Sequence, residues 1–184
     1  MHLEQDGKKL LILEGTSRVI IEPWGVNSLR VRMTKEAHMD DNDWALTEPV
    51  KETEPQISFE EIDVTDPWYR SEEFAQYHQK GTQAQLVNGK ITVKVSHEGW
   101  IGFYNQKGEL LTEEYWRNRN RINRYCVPLR IDARELKPIQ GSTDYSLTAR
   151  FEAFDDEKIF GMGQYQEKHL NKKGAILELA HRNS

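Results

Sequence analysis

Between Lys158 and Gly174 the chain reads KIFGMGQYQEKHLNKKG, with Gly161 and Gly163 following the apolar pair Ile159 and Phe160. Phosphate-cradling loops begin with this spacing. A dinucleotide site also needs a third glycine three residues on, so that a helix packs on its strand and aims its N-terminus at a pyrophosphate. That position is Gln166, and the polar residues that follow show no helical apolar period. The two glycines therefore read as a turn that needs positive φ or close backbone approach.

Other reactive side chains also fail to assemble by spacing. Asp40, Asp41 and Asp43 lack the turn glycine and closing glutamate of a calcium loop, so they read as a solvated acidic excursion. His2, His38, His78, His97, His169 and His181 show no metal-ligand spacing, and Cys126 is the one cysteine, so neither a metal nor a cofactor is expected. Cys126 lies beside Val127 and Pro128 with no histidine near it, and no nucleophile elbow occurs. Asp155 adjoins Asp156 and Glu113 adjoins Glu114. Neighbours on a strand point to opposite faces, so neither pair makes an acid/base couple. No catalytic residue is assigned.

Arg117, Arg119, Arg121, Arg124, Arg130 and Arg134 are interleaved with Tyr115, Trp116 and Tyr125, a mixture suited to stacking bases and neutralising phosphates. The formal net charge of −5 opposes that use, and pairing with the acidic remainder of the chain, or with another domain, is the favoured reading. No nucleic-acid partner is expected. No apolar run approaches the roughly 20 residues that span a bilayer, and the N-terminus lacks a cationic segment followed by an apolar one, so no membrane partner is expected and the location reads as cytoplasmic.

The elements that must position these residues are strands. SLRVRMT sets Leu29, Val31 and Met33 against Arg30, Arg32 and Thr34; KITVKVS repeats the pattern with Ile91, Val93 and Val95, and DYSLTARF with Tyr145, Leu147, Ala149 and Phe151. SRVIIEP, QISFEEIDV, WIGFYN and AILELA are further candidates. Asn88-Gly89 suits the two central positions of a type I′ hairpin, and Asn105–Gly108 makes a second turn. PWYRSEEFAQYHQK is the one stretch open to a short helix. An all-β, antiparallel sandwich with long loops follows, read as one domain over residues 1–184. The stop at ILELAHRNS, straight after a strand-like run, is expected to be a boundary inside a larger protein.

Four segments in order, PWGVNSLRVRMT, LVNGKITVKVSHEGWIGFYNQKGELLTEE, YSLTARFEAFDDEKIFGMGQYQ and LELAHRNS, resemble the N-terminal domain of family-31 glycoside hydrolases, nearest the α-xylosidase/α-glucosidase group. The resemblance implies a galactose-mutarotase-like sandwich that partners its own downstream (β/α)8 barrel. That barrel would hold the two catalytic aspartates of a retaining α-glycosidase and lie outside these residues. It also implies that Phe160, Gly161, Gly163 and Gln164 form a turn near the barrel's open end. Arg182 and Asn183, before Ser184, would meet the leaving-group sugar of an α-linked oligosaccharide. Asn183 stands where many members carry aspartate. The domain would be inactive alone, supporting the barrel and shaping the pocket rim. An apolar face otherwise covered by the barrel would associate with itself, so a homo-oligomer is expected. The alternatives are a stand-alone carbohydrate-binding module with Trp24, Trp44, Trp100 and Trp116 as its platform and, behind it, an RNA- or partner-binding sandwich using the arginine-rich segment.

Overall fold

Alternation of apolar and polar residues resolves into strands because one face of each can be buried while its backbone pairs with neighbours. The computed structural model describes residues 1–39, 47, 51, 53–64, 79–115, 131, 133–161 and 169–177. Its described residues divide into two units, Met1–Glu152 and Ala153–Ser184. The first holds every strand below, and all pair antiparallel.

One sheet is a four-stranded meander of β1 (His2–Asp6), β2 (Lys9–Glu14), β3 (Ser17–Pro23) and β4 (Leu29–Thr34). A second is a five-stranded meander of β5 (Gln56–Val64), β6 (Gln79–Asn88), β7 (Ile91–Val95), β8 (Ile101–Tyr104) and β9 (Leu110–Glu113). Leu10, Ile12, Val19 and Ile21 from the first meet Leu86, Val93, Val95 and Ile101 from the second in one core, all essentially without solvent exposure. Leu29, Val31 and Met33 pack on that core as their alternation requires. Together the sheets form an all-β, antiparallel sandwich.

The outer face of the first sheet is held by charge. Glu22 is buried and accepts from Arg30 Nε at 2.9 Å and Arg32 Nε at 3.1 Å, while the Arg30 guanidinium lies 3.7 Å from the Trp24 ring centroid. Arg30 and Arg32 are thus on the face opposite Val31 and Met33.

At one end the two sheets clasp each other. The β6–β7 hairpin forms, but its loop is Gly89-Lys90, with Gly89 at φ +60°, and Asn88 is the last residue of β6. Placing Asn88 in the turn was therefore wrong, for a physical reason. Its side chain is fully buried and donates from Nδ2 to Gly25 O at 2.8 Å and Ser28 O at 2.7 Å, carbonyls of the β3–β4 turn. Asn27, itself at φ +62°, accepts from the Lys90 amide at 2.7 Å. A Cβ on Gly89 would stand 2.2 Å from Asn27 Oδ1, so glycine is needed here for space as well as for φ.

A third, two-stranded sheet of β10 (Arg134–Pro138) and β11 (Tyr145–Ala149) extends from the edge of β9. The join is the bridge between Glu114 and Phe151, with Tyr115 N donating to Arg150 O at 3.0 Å and Glu152 N to Glu113 O at 2.9 Å. Residues Ala175 to Leu177 of AILELA are irregular, with Ile176 almost fully exposed, so no strand forms over its described part. The candidate helix of PWYRSEEFAQYHQK lies outside the described residues.

Candidate functional site

The Gly-x-Gly segment lies in the second unit. Asn171 gathers the two arms of its loop, since Oδ1 accepts from Ile159 N at 2.9 Å and Lys173 N at 3.1 Å, while Lys172 N donates to Ile159 O at 2.7 Å. Lys173 Nζ donates to the carbonyls of Phe154 and Asp155. Gly161 has φ +96°, and a Cβ there would meet nothing within 4 Å. Among the described residues its requirement is conformational, a backbone in the left-handed region. Phe160 beside it is 61% exposed. Gly163 and Gln164, and Arg182 and Asn183, lie outside the described residues, as do Asp40, Asp41, Asp43 and Cys126. Of the predicted site residues, Gly161 is the one among those described.

The adjacent carboxylates separate as the strand geometry demands. Glu114 turns inward to a buried fork, accepting from Arg134 Nε and Nη2, each at 2.5 Å, and from the Ile101 amide at 2.9 Å. Arg134 is itself fully buried and also donates to Gly99 O at 2.9 Å. This takes Arg134 out of any surface arginine patch and gives it the ion-pair role; Arg117, Arg119, Arg121, Arg124 and Arg130 lie outside the described residues. Glu113 pairs with Gly102, which pairs with Lys94, and so belongs to the opposite, outer face of the sheet. Among the described residues no group of three His, Cys, Asp or Glu could hold a metal ion, and no helix is long and apolar enough to cross a membrane.

Two surfaces of the first unit escaped the sequence reading. The predicted alternation of Tyr145, Leu147, Ala149 and Phe151 is present, but that face is open, with Leu147 58% and Phe151 52% exposed. Tyr145 donates to Glu36 Oε1 at 3.1 Å, and this hydrogen bond, with the carboxylate's charge and slight desolvation, raises the phenol above its usual range. The second surface is a hollow of about 630 Å³ on the outer face of the five-stranded sheet, lined by Ser58, Glu60, Gln83, Gln85, Lys94, Trp100, Gly102, Tyr104 and Glu113 among others. Its signal in the sequence was the outward half of each alternating strand. Trp24 stands on the other sheet against Arg30 rather than beside Trp100, and Trp44 and Trp116 lie outside the described residues, so no shared tryptophan platform is seen among those described.

No family model matches the chain. Over 173 residues it is 39% identical to a protein of Pseudescherichia vulneris described as an uncharacterized family 31 glucosidase, an alignment taking in 89% of this chain and 28% of that one. All of it superposes, with a TM-score of 0.74 and 39% identity, on 25% of the chain in a crystal structure of a GH31 alpha-xylosidase from a soil metagenome complexed with xylose. Its homologues are family-31 glycoside hydrolases. Alpha-xylosidase A of Aspergillus niger is 28% identical over 194 aligned positions, 95% of this chain and 22% of the relative. The chain thus spans about a quarter of the length of the curated relatives it matches. Against these family-31 relatives, the expected sandwich and the expected kinship both hold.

Proposed function

We propose that this chain is the N-terminal sandwich of a retaining α-glycosidase acting on α-xylosides or α-glucosides, with no catalytic residue of its own. The observation that carries the reading is the superposition of the whole chain on a quarter of an alpha-xylosidase at 39% identity. Its role is to buttress the catalytic barrel and to shape the rim of the substrate pocket. Leu147 and Phe151 in the first unit, and Phe160 and Leu170 in the second, are exposed apolar side chains that a covering domain would bury, as a buttress requires. The positive φ at Gly161 suits a turn there; on the family resemblance alone, Gly161, Gly163 and Gln164 border the rim in this proposal and Arg182 and Asn183 bind the sugar. Hydrolysis with retention needs two carboxyl groups flanking one bond, and Glu114 is committed to Arg134.

The test is turnover of aryl α-xyloside and aryl α-glucoside by the 184-residue chain and by any longer protein that its reading frame encodes. Activity in the longer protein only is the expected result. Turnover by the chain alone would overturn the reading.

A further inference from the structure

The outer face of the five-stranded sheet carries a feature that a supporting role does not use. Tyr104 folds back along β8 until its ring lies over Gly102; a Cβ at Gly102 would come within 3.2 Å of Cε2 and 3.3 Å of the hydroxyl. A side chain at 102 would make the ring give way by a few tenths of an ångström. Lys94, directly across from Gly102 in the β7–β8 register, holds its ammonium 4.6 Å from the ring centroid. Trp100 lines the same hollow while packing in part on the core, and its indole is oriented by a hydrogen bond from Nε1 to Glu98 Oε2 at 3.1 Å.

Around these rings stand side chains that can both donate and accept. Gln83 Nε2 donates to Glu60 Oε2 at 2.7 Å, which leaves its carbonyl oxygen to accept. Gln85 and Ser58 bring a second amide and a hydroxyl to the same hollow. Glu60, Glu98 and Glu113 outnumber Lys94, so the charge disfavours anions, and the polar walls disfavour a purely apolar ligand. The volume falls in the range of small-molecule sites, about 300–1,000 Å³.

We infer that this face is an oligosaccharide-binding site for neutral glycans, with the apolar face of a pyranose against Tyr104 and Trp100 and its hydroxyls on Gln83, Gln85 and Glu113. The inference is independent of the proposed function: binding by this chain alone tests it, whereas turnover by a longer protein tests the other, and either can fail without the other.

The experiment is amide-resolved NMR titration of the chain with maltotetraose and with a xyloglucan heptasaccharide. Saturable shifts centred on Lys94, Gly102 and Tyr104 are expected. Tyr104→Ala should weaken binding roughly two- to tenfold, the worth of one aromatic contact, while Tyr104→Phe keeps the ring and stays close to the parent. If an alanine variant fails to fold, the shift map of the parent protein still decides. Absence of saturable shifts at millimolar glycan would overturn the inference. So would shifts that map off this sheet face, or tighter binding of a sulfated oligosaccharide than of the neutral probes.

Discussion

Replacing Glu114 with alanine should be among the most damaging single changes in the first unit. The substitution strands the Arg134 guanidinium, which has no solvent exposure, without its counter-charge, and it removes the acceptor of the Ile101 amide. Taking one partner from a buried pair costs about 3–5 kcal/mol, because the remaining charge stays desolvated and uncompensated. Losing two charge-assisted bonds at about 1.5–3 kcal/mol each gives the same size. Against a total stability of about 5–15 kcal/mol, that removes about a fifth of the margin or more. With a urea slope of about 2 kcal/mol/M, the unfolding midpoint should fall by roughly 2 M. Tryptophan fluorescence and circular dichroism across a urea series measure it. The double change Glu114→Leu with Arg134→Met removes both charges and should recover all but the about 1–3 kcal/mol left by the Ile101 amide and the Gly99 carbonyl, which lose their partners. A single-variant loss under about 1 kcal/mol, or a double variant no better than the single, would refute the reasoning.

Asn88→Ala removes two buried hydrogen bonds but also a side-chain oxygen that has no partner, so it should cost about 1–2 kcal/mol in the same urea assay. Gly89→Ala should cost about 1–3 kcal/mol, and pairing it with Asn27→Gly, which clears the 2.2 Å clash, should restore part of the loss. The neutral Tyr145 phenol is favoured in the folded state, so its contribution is complete below the ordinary value of 10.0 and is lost as pH rises through the higher folded value. Alkaline spectrophotometric titration should show a late phenolate component that disappears in Tyr145→Phe. Leu147→Ser combined with Phe151→Ser should reduce binding of a hydrophobic dye and any self-association seen by sedimentation. Unchanged dye binding would show that this face is not the adhesive one.

Much of the fold could be read from residues whose two faces differ sharply. In β4 Val31 and Met33 go inward while Arg30 and Arg32 go outward to Glu22, and the hydropathy pattern alone says so. In β1, HLEQD offers Leu3 as its single apolar residue, and in β10, RELKP ends in proline, so pairing with a neighbour decides those strands and local pattern does not. Asn88 looked like a turn residue because its usual uses are local. Its actual partners lie some sixty residues away in sequence, a distance no local rule reaches. The glycine pair was legible as a turn, since positive φ at Gly161 is a property of one residue. The hollow over Gly102 was not, because it depends on strands β5 to β9 standing side by side with their polar residues on one surface.

Both larger sheets are meanders in which every strand pairs with its neighbour in the chain. Closing such hairpins fixes short stretches of chain, whereas parallel or Greek-key pairings must first join distant segments. The first sheet is complete by Thr34, and the second adds its strands one after another from Gln56 to Glu113. The clasp of Asn88 onto Gly25 and Ser28, and the fork of Arg134 onto Glu114, join parts made at different times. The topology therefore suits assembly during synthesis, with hairpins laid down from the N-terminus and the long-range ties closing last.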